Sequence, residues 1–581
     1  MNPSILAATD PDPAAARPAV VAAPALCGAE LLLAALVREG VDTIFGIPGG
    51  ANLPIYQHLP ASPIRHVLVR HEQGAAHMAD GYARTTGRVG VCLATSGPGA
   101  LNLITGLATA HFDSVPIVAL TGQVASGAIG TDAFQESDVI GSSLSVTKHS
   151  YQVLDARDLP GVVAEAFHVA RSGRPGAVLI DIPKDVQQQL VADPVPERPV
   201  RLRLLARPPA PDPELVAQAL AHLSASERPV ILAGRGVAIA GAQTALRRLA
   251  ERCQAPVGWT LLGTGVFPSS HPLALGMVGF MGTGYCNRAV TDADCLVMVG
   301  MRADDRVTCR VQDFAPRAEH IIHINIDPAE LGKTVMADCQ IAADARQTLE
   351  ALADGVQPRR RVEWQAQVDG WRAAHPLRYP HNGQLQPQEV LAAMAAHRGP
   401  DDVTVADVGL NQIWAAVNWS GDTPGHFINS GGQGTMGFAF PAALGAQAAD
   451  RGRQVFCVTG EGGFVMTMQE LATAVEQRLP VRVVILNNRS LGMVRQFQDS
   501  FYGGVRSEVD LHVTPDFAML AQAYGAFGRR VDRAEDLDAA LAAACAHDGP
   551  ALLDCWIDPE ANVYPIVPLG GSLAEFTECP E

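Results

Sequence analysis

The stretch Val455-Phe-Cys-Val-Thr-Gly-Glu-Gly-Gly463 decides the fold class, because a short β-rich run passes directly into a glycine-rich turn. The next β-rich run, 481–486, ends at Asn487-Asn488, and Asn488 lies 27 residues after Glu461. Adjacent strands of an open parallel sheet bring their carboxyl ends to one edge, where such sheets bind ligands. There the Glu461 carboxylate and the Asn488 amide oxygen would share one Mg²⁺, and the glycines would let backbone N–H groups approach a diphosphate. Taken alone, the stretch is equally compatible with an ordinary strand–turn–helix connection.

The same alternation of β-rich runs and Ala/Leu-rich helical stretches fills the chain. It predicts an α/β protein built from three doubly wound domains, whose parallel sheets are covered by helices on both faces. The first and third domains have similar length and organisation, which suggests a duplicated unit. We expect a flexible leader over residues 1–24, domains over 25–193, 194–356 and 388–560, a linker over 357–387 and a C-terminal tail over 561–581.

The predicted strands are short and apolar. Those of the first domain are 42–45, 66–69, 89–94, 115–121 and 176–182, those of the central domain 230–233, 295–299 and 320–326, and those of the third domain 403–406, 455–459, 481–486 and 551–556. The run Arg359-Arg-Arg361 falls in the predicted linker, and we expect it to be solvated.

Composition excludes several classes of protein. The 581 residues include 43 Lys and Arg against 60 Asp and Glu, for a net charge of −17. An acidic chain without a basic run argues against nucleic acid as the main partner. No apolar run approaches the roughly 18–20 residues of a membrane span, so we expect no membrane partner. The eleven cysteines are scattered without a C-x-x-C pair, which indicates a reduced, cytoplasmic protein without a disulfide framework or structural zinc site.

One familiar signature is present but weak. Gly432-x-Gly434-x-x-Gly437 matches the dinucleotide-binding fingerprint and follows a candidate strand over 426–428. That fingerprint needs an acid about 20 residues further on, whereas Asp450 lies only 13 residues after Gly437. We therefore do not expect NAD to bind at this turn.

A set of longer motifs occurs in order along the chain. They are Phe45-Gly-Ile-Pro-Gly-Gly50, Arg70-His-Glu-Gln-Gly-Ala-Ala-His-Met-Ala-Asp-Gly-Tyr-Ala-Arg84, Ala94-Thr-Ser-Gly-Pro-Gly99, Gly130-Thr-Asp-Ala-Phe-Gln-Glu136, Ser430-Gly-Gly-Gln-Gly-Thr-Met-Gly437, Gln469-Glu-Leu-Ala-Thr-Ala474 and Leu491-Gly-Met-Val-Arg-Gln496. Over residues 25–565 the chain resembles the acetohydroxyacid (acetolactate) synthases, a family of thiamine-diphosphate enzymes. The resemblance implies a pyrimidine-binding first domain, a central domain of FAD-binding type and a diphosphate-binding third domain.

The resemblance also implies contacts to thiamine diphosphate and Mg²⁺. Glu72 would hydrogen-bond the aminopyrimidine and promote loss of the C2 proton, Gly50 would lie beside the reacting carbon, and Gln135 would contact the reaction intermediate. Met436 would hold the cofactor in its bent shape. The other implied cofactor contacts are Pro98, Asn102, Gly409, Leu410, Asn411, Gly434, Gly460, Gly462 and Gly463, and the implied ligands of Mg²⁺ are Glu461, Asn488 and Ser490.

The central domain resembles the FAD-binding domain of the biosynthetic branch, in which FAD is structural rather than redox-active. An empty or ADP-binding central domain, as in related decarboxylases, is the alternative. The implied FAD contacts are Arg174, Gly234, Gly236, Thr260, Leu261, Gly279, Met281, Gly282, Arg302, Asp304, Asp327 and Asp344.

Substrate contacts are implied in all three domains. They are Phe134, Lys184, Asp305, Arg306, Met493, Val494 and Phe497. Arg306 is the candidate clamp for the acceptor carboxylate, because a guanidinium offers a bidentate fork. The alternative for Arg306 is a salt bridge within Asp304-Asp-Arg306.

The sequence departs from the family pattern at four places. Glu461 replaces the usual magnesium-ligand Asp, and Gly409-Leu-Asn-Gln412 stands where the family usually has G-Q-H-Q, so that Leu410 cannot donate a hydrogen bond. Met281 replaces a His and Asn325 a common Asp in the flavin segment. Phe497 replaces a pocket Trp tied to preference for the larger acceptor, 2-oxobutanoate. These changes put the exact reaction in question more than the fold.

The leading hypothesis is an acetolactate synthase catalytic chain of branched-chain amino acid biosynthesis. It would decarboxylate pyruvate and transfer the two-carbon unit to a second 2-oxo acid. The alternatives are another thiamine-diphosphate decarboxylase, carboligase or acetyltransferase, and a degenerate non-catalytic homologue. The resemblance further implies a homodimer or tetramer with the active site between subunits, and a regulatory small subunit as a candidate partner.

Overall fold

Three six-stranded sheets, each entirely parallel, follow one another along the chain. The structure is a computed structural model that describes residues 25–192, 208–421 and 425–580. The predicted leader over 1–24 and residues 193–207, at the predicted boundary between the first and central domains, lie outside the described residues. Helices cover the sheets, so the predicted fold of three doubly wound α/β units is confirmed.

The first sheet has the strand order β3-β2-β4-β5-β7-β6. Its strands, together with the small antiparallel pair β1 and β8, are β1 Leu26–Cys27, β2 Thr43–Gly46, β3 Arg65–Leu68, β4 Gly90–Ala94, β5 Ile117–Gln123, β6 His149–Gln152, β7 Ala177–Pro183 and β8 Leu190–Val191. The helices of this part are α1 Gly28–Arg38, α2 Leu53–His58, α3 Glu72–Thr86, α4 Pro98–Asn102, α5 Ile104–Phe112, α6 Val139–Ser143, α7 Leu159–Arg171 and α8 Lys184–Gln188.

The central sheet has the order β11-β10-β9-β12-β13-β14. Numbered within the sheet this is 3-2-1-4-5-6, the order of dinucleotide-binding Rossmann folds, which bind their ligand where the order reverses. The strands are β9 Pro229–Ala233, β10 Val257–Trp259, β11 Ala274–Met277, β12 Cys295–Val299, β13 His320–Asn325 and β14 Cys339–Ala342. The helices are α9 Pro213–Ala225, α10 Arg235–Ile239, α11 Gln243–Cys253, α12 Gly284–Asp292, α13 Asp305–Thr308, α14 Ala345–Gly355 and α15 Val362–Ala374.

The third sheet has the order β16-β15-β17-β18-β20-β19. Its strands are β15 Val403–Ala406, β16 Phe427–Asn429, β17 Val455–Thr459, β18 Val481–Asn487, β19 Phe527–Val531 and β20 Ala551–Trp556. The helices are α16 Pro387–Ala396, α17 Leu410–Val417, α18 Ala439–Ala449, α19 Glu461–Thr467, α20 Leu471–Glu476, α21 Gly492–Phe501, α22 Phe517–Ala523 and α23 Leu537–Ala546.

The first and third sheets have the same topology. Numbered within each sheet, and setting aside the separate pair β1 and β8, both run 2-1-3-4-6-5. The similar organisation of the two domains in the sequence therefore corresponds to one repeated fold, whereas the central sheet is built differently.

The repeated units pack against each other through equivalent helices, α3 and α18, each of which follows the second strand of its sheet. A β-carbon on Gly81 would lie 1.9 Å from the Ala442 carbonyl oxygen, and one on Gly445 would lie 1.9 Å from the Met78 carbonyl oxygen. The two contacts are reciprocal, so glycine at both positions allows the helix backbones to touch.

The predicted linker contains a helix, α15, and one of its arginines is not solvated as we expected. Arg361 is 6% exposed. Its guanidinium donates to the carbonyls of Leu223 and Ser226 at 2.9 Å each and to that of Cys253. These carbonyls lie at the C-terminal ends of α9 and α11, whose unpaired acceptors and negative dipole ends favour a cation. The prediction of a solvated arginine run is therefore wrong at Arg361.

The C-terminal tail folds back over the central part of the chain. Val567 is buried, and its N–H donates to the Phe280 carbonyl at 2.9 Å. An antiparallel bridge pairs Ile566 with Thr577. The tail therefore contributes to the packing behind Phe280, a residue of the cavity described below.

A cysteine, a glutamate and a histidine tie α1 to α2. Cys27 Sγ lies 3.4 Å from His58 Nε2, and His58 Nδ1 lies 3.5 Å from Glu30 Oε1. Glu30 Oε2 accepts a hydrogen bond from the Cys27 N–H at 2.8 Å. Because the two ring nitrogens face different partners, this cluster is a capping arrangement and does not direct three ligands at one ion.

The helices of the described ranges are short. The longest, α3, has 15 residues. Within those ranges no helix combines the length and the apolar character that crossing a bilayer would require.

Candidate active site

Glu461, Asn488 and Ser490 meet where β17 and β18 end. The Glu461 carboxylate is buried, and its Oε1 accepts a hydrogen bond from the Ser490 N–H at 2.7 Å. Asn488 Oδ1 accepts from the same N–H at 3.1 Å. The Ser490 hydroxyl is buried and has no hydrogen-bond partner among the described residues. Burial raises the pKa of Glu461 to about 7, because removal from water disfavours the charged form of a carboxyl group. The three predicted metal ligands thus form one buried, oxygen-rich group.

The turn after β15 carries the departures at Leu410 and Asn411. Gly409 has φ +135°, in a region that side chains avoid. Leu410 is buried and packs on Gly492, where its Cδ1 lies 2.9 Å from the position of a β-carbon. Asn411 donates through Nδ2 to the Asp407 carbonyl at 2.6 Å. This turn therefore presents an apolar side chain where the family has a hydrogen-bonding one.

The glycines of the predicted diphosphate turn pack closely against this region. A β-carbon on Gly463 would lie 2.7 Å from Asp407 Oδ2, and one on Gly460 would lie 3.4 Å from Asn411 Oδ1. The methyl group of Met436 lies 3.7 Å from the corresponding position on Gly462. Met436 shares its loop with Gly434, which has φ +61°. The structure thus brings the predicted cofactor residues of the third domain together.

Asp407 supports this group, and the sequence analysis missed it. Its fully buried carboxylate accepts hydrogen bonds from the Gly437 N–H at 3.0 Å and the Thr459 hydroxyl at 3.1 Å. Burial raises the pKa of Asp407 to about 6. An acid directly after a predicted apolar strand, 403–406, is the signal that would have found it.

A second group of predicted residues lies at the carboxyl edge of the first sheet. Glu72 begins α3, and its Oε2 accepts a hydrogen bond from Asn102 Nδ2 at 3.0 Å. A β-carbon on Gly99, next to Pro98, would lie 3.1 Å from Glu72 Oε1. The Gln135 carbonyl oxygen is 2.7 Å from the equivalent position on Gly97.

Three further predicted residues lie at the surface of this part of the chain. Gly50 is exposed on the turn after β2. Phe134 is 87% exposed, and Lys184, half-buried, begins α8. Within the described residues, no hydrogen bond or ion pair joins Glu72 or Asn102 to Glu461, Asn488 or Ser490. A single chain therefore presents two separate groups of predicted cofactor residues.

A cavity of about 870 Å³ opens at the carboxyl edge of the central sheet, where its strand order reverses. Residues following β9, β10, β12, β13 and β14 all contribute to its wall. Eight of the predicted FAD contacts line it: Arg174, Gly236, Thr260, Leu261, Met281, Arg302, Asp304 and Asp344. The site predicted from the sequence and this cavity thus coincide for most of these residues.

The other four predicted FAD contacts do not line the cavity. Gly234 precedes α10, and Asp327 lies 3.5 Å from the guanidinium of Arg174. Gly279 allows a close backbone contact, because a β-carbon there would lie 2.1 Å from the Arg306 carbonyl oxygen. Gly282 allows a similar contact with the Met277 carbonyl.

Asn325 stands where the family commonly has an acid, and both its amide nitrogen and its amide oxygen are hydrogen-bonded. Its Nδ2 donates to the Met301 carbonyl at 2.8 Å, and its Oδ1 accepts from the Asp327 N–H at 3.0 Å. An ionised aspartate has no N–H with which to make the first of these bonds. The substitution therefore joins the turns after β12 and β13.

Arg306 lies over an aromatic ring at the cavity wall. Its guanidinium carbon is 5.0 Å from the centroid of Phe280, and Phe280 packs edge-on against Phe497 at 5.8 Å. Among the described residues Arg306 makes no ion pair, so the salt bridge within Asp304-Asp-Arg306 does not form. Asp304 instead caps α13 through the Val307 N–H at 3.2 Å.

Four of the predicted substrate residues line the same cavity: Asp305, Arg306, Met493 and Phe497. Val494 lies on the same helix as Phe497 and is 46% exposed. The sequence analysis did not single out Phe280, although it lies between Gly279 and Met281, two predicted FAD contacts. It also missed Asp113, Arg235 and Gln412 in the cavity wall.

Three family models match the chain in the order of its three sheets. "Thiamine pyrophosphate enzyme, N-terminal TPP binding domain" matches residues 26–142, the central domain of the same enzymes matches 216–352, and their C-terminal TPP binding domain matches 407–555.

Relatives match almost the full length. The acetolactate synthase large subunit of Parasynechococcus marenigrum is 47% identical, over 96% of this chain and 91% of the relative. The acetolactate synthase isozyme 2 large subunit of Escherichia coli is 46% identical, over 95% of this chain and 99% of the relative. A probable acetolactate synthase large subunit of Methanocaldococcus jannaschii is 44% identical, over 95% of both chains. The chain therefore belongs to the acetolactate synthase large-subunit family and is a thiamine-diphosphate-dependent enzyme of that type.

Proposed function

We propose that this enzyme decarboxylates pyruvate and transfers the two-carbon unit to a second 2-oxo acid, giving 2-acetolactate or a related acetohydroxyacid. The observation that carries the proposal is Arg306 at the cavity wall, which makes no ion pair with the described residues and lies beside Phe280 and Phe497. A guanidinium free of acidic partners can take a carboxylate bidentately. A carboligase must hold the carboxylate of its acceptor, whereas a simple decarboxylase has no acceptor acid to hold.

Thiamine diphosphate fits the glycine turn of the third domain, where Gly460, Gly462 and Gly463 carry no side chain to block the backbone N–H groups and Met436 lies beside Gly462. When bound, the cofactor supplies a nucleophilic carbon that takes up the 2-oxo acid and holds the electron pair left by CO₂. We assign Glu72 to proton transfer at the aminopyrimidine, with Asn102 fixing its carboxylate. Gly50 and Gln135 would border the reacting carbon.

Mg²⁺ fits Glu461, Asn488 and Ser490. The Ser490 hydroxyl is buried without a hydrogen-bond partner among the described residues, and it lies with the buried Glu461 carboxylate and the Asn488 amide oxygen in one group of oxygen donors. Mg²⁺ takes oxygen ligands and retains substrate phosphates in its shell. When bound, it would neutralise Glu461 and the diphosphate.

FAD fits the cavity of the central domain. The volume of about 870 Å³ lies in the range of cofactor pockets. The guanidiniums of Arg174, Arg235 and Arg302 line it, and arginine recognises phosphate bidentately. We propose that FAD binds there as a structural group, and that the three sheets bind the pyrimidine, FAD and the diphosphate in turn.

We propose that the chain assembles as a homodimer or a tetramer. In this assembly Glu72 of one chain faces the Glu461 group of another. Within the described residues of one chain no hydrogen bond or ion pair joins the two groups, which supports this arrangement. The relatives are named large subunits, which supports a regulatory small subunit as a further partner. The eleven free cysteines fit a reducing compartment such as the cytoplasm.

The test is product analysis with purified protein, pyruvate, thiamine diphosphate and Mg²⁺, with and without FAD. We expect acetolactate and CO₂, with dependence on FAD. Acetaldehyde and CO₂ without acetolactate would assign a decarboxylase instead. Replacing Arg306 by Lys should raise the acceptor concentration for half-maximal rate about tenfold or more, because the fork is lost. An unchanged value would remove Arg306 from the acceptor site.

A further inference from the structure

Residues of all three domains meet at a buried charge cluster behind the loop Ser430-Gly-Gly-Gln-Gly434, hereafter the glycine loop. We infer that Asp113 is a positioning residue for thiamine diphosphate: it fixes the glycine loop, which leads to Gly434 and Met436. This inference rests on the proposed placement of the cofactor against those two residues.

The Asp113 carboxylate is fully buried and reaches the loop directly. Its Oδ1 accepts a hydrogen bond from the Gly432 N–H at 2.7 Å, and its Oδ2 accepts from the Gly431 N–H at 3.2 Å. Asp113 follows α5 in the first domain, whereas the glycine loop follows β16 in the third. One carboxylate thus holds two successive amides of another domain, and such charge-assisted bonds are stronger than neutral ones.

Arg84 supplies the counter-charge. Its guanidinium lies 2.9 Å from Asp113 Oδ2 and 2.6 Å from Asp80 Oδ1, and it donates to the Asn429 carbonyl at 2.9 Å. The side chains of all three charged residues are at most 5% exposed. Removal of one partner from such a buried network leaves the others uncompensated. Arg84 therefore ties the end of β16 to Asp113, and Asp113 alone of the three charged residues contacts the start of the glycine loop.

The central domain adds one contact and limits the space. Arg235 donates to the carbonyls of Asp113 and Ser114, the latter at 3.2 Å. A β-carbon on Gly432 would lie 2.9 Å from both Asp113 Oδ1 and Arg302 Nη2. The glycine loop is therefore confined between Asp113 and the cavity wall.

A second and weaker contact holds Thr435, the residue directly after the glycine loop. Thr109 Oγ1 lies 2.7 Å from Thr435 Oγ1. Thr109 and Asp113 lie four residues apart, so the C-terminal end of α5 contacts both the start of the glycine loop and the residue that follows it. This gives the loop one charged and one neutral attachment, which can be removed separately.

The chain provides a matched pair of variants. Asp113 and Asp80 both pair with Arg84, but only Asp113 touches the glycine loop. We expect Asp113→Asn to raise the concentration of thiamine diphosphate for half-maximal activity about tenfold. In this variant the side-chain NH₂ of Asn faces one of the two backbone N–H groups of the glycine loop, and that N–H loses its acceptor. At saturating cofactor, kcat should recover to near the wild-type value. Asp80→Asn should lower the melting temperature to a similar extent and leave the cofactor requirement unchanged.

Direct binding to the apoenzyme, followed by quenching of tryptophan fluorescence, gives a readout independent of activity. Met436→Ala tests the placement of the cofactor. If Met436→Ala weakens binding and Asp113→Asn does not, the inference is overturned while the proposed placement stands. If neither variant changes binding, both are overturned.

Two further outcomes decide the case. Loss of flavin from Asp113→Asn with unchanged affinity for thiamine diphosphate would make Asp113 a residue of the cavity and overturn its positioning role. If Asp113→Asn does not fold, Thr109→Val, which keeps the shape and removes only the neutral attachment, decides instead. A rise of about threefold in the cofactor requirement supports the inference, and no rise contradicts it.

Discussion

Glu72 and Leu410 represent opposite kinds of residue at the proposed cofactor site. Glu72 keeps the family identity and is held by Asn102 at 3.0 Å. Leu410 departs from it and fills its place with apolar contacts to Gly492. Glu72 should be indispensable for turnover, whereas substitution of Leu410 by a hydrogen-bonding residue should strengthen cofactor binding.

Glu72→Gln should bind thiamine diphosphate but turn over at least about a hundredfold more slowly. An amide can still accept the bond from Asn102, but it cannot support proton transfer as a carboxylate does. Titration of the cofactor and the rate at saturating pyruvate measure the two effects. Glu476→Gln, on a surface residue that pairs with Arg70, is the control. Full turnover in Glu72→Gln would exclude the assigned role.

Leu410→Gln should lower the thiamine diphosphate requirement several-fold. The new side chain brings back an N–H donor where the family usually has one, and a hydrogen bond to a charged group is worth about 1.5–3 kcal/mol. Part of that gain is lost because the amide replaces a buried leucine. Leu410→Met, which keeps an apolar side chain of similar size, should leave the requirement unchanged. A requirement that stays the same or rises in Leu410→Gln would show that the diphosphate is not near this turn.

At the scale of elements, Arg361 shows how a segment without an apolar pattern becomes part of the core. Its guanidinium satisfies carbonyls at the ends of α9 and α11. Without it, several buried acceptors would remain unpaired, at about 1–3 kcal/mol each before relaxation.

Arg361→Ala should therefore lower the melting temperature by about 5 °C or more. The adjacent Arg360 is exposed, and Arg360→Ala should shift it by no more than about 1 °C. Thermal denaturation of both variants under one set of conditions is the measurement. Equal melting temperatures would mean that water replaces the guanidinium at these helix ends.

The interior strands could be predicted from the sequence, but most edge strands could not. In a parallel sheet the interior strands are covered on both faces and form continuous apolar runs, so β12, β15, β17 and β20 were predicted at the bounds observed. The strands β6, β11, β14 and β19 lie at sheet edges and were missed, as were β10, which has three residues, and the short pair β1 and β8. Their shorter or more polar patterns, such as His149–Gln152, do not stand out from loops.

The candidate site shows the same division. From the sequence, the family resemblance suggested Glu72 and Arg306 as site residues, and the spacing of two predicted strand ends suggested Glu461. Neither could show that Arg306 stacks on Phe280 or that Asp113 reaches the glycine loop. Those contacts join residues that are distant in sequence, and only the packing of the domains selects them.

At the scale of the whole molecule, the two separated groups of cofactor residues make a prediction about mixed assemblies. Glu72→Gln and Glu461→Gln should each be inactive alone. In a mixed dimer, one site would contain both substitutions and the other neither. Random pairing makes half of the dimers mixed, so co-expression of the two variants should restore about a quarter of the wild-type activity.

Purification through two different tags isolates the mixed dimers for this assay. Co-expression of wild-type chains with an inactive variant provides the control for assembly. If each site were built within one chain, the mixed dimers would stay inactive. A stable, active monomer in a sedimentation experiment would likewise contradict a shared site.

The reciprocal contact of α3 and α18 affects how the two copies of the fold can change by mutation. In a pair of identical subunits, one mutation alters both sides of a symmetric contact at once. Here Gly81 and Gly445 are encoded by separate codons, so each side can be kept or changed alone. Because the two sides can change independently, the two helices can carry different residues at their N-terminal ends. Glu72 begins α3, whereas Gly434 and Met436 lie in the loop before α18. Two copies of one fold can thereby bind the two opposite ends of thiamine diphosphate, the pyrimidine and the diphosphate.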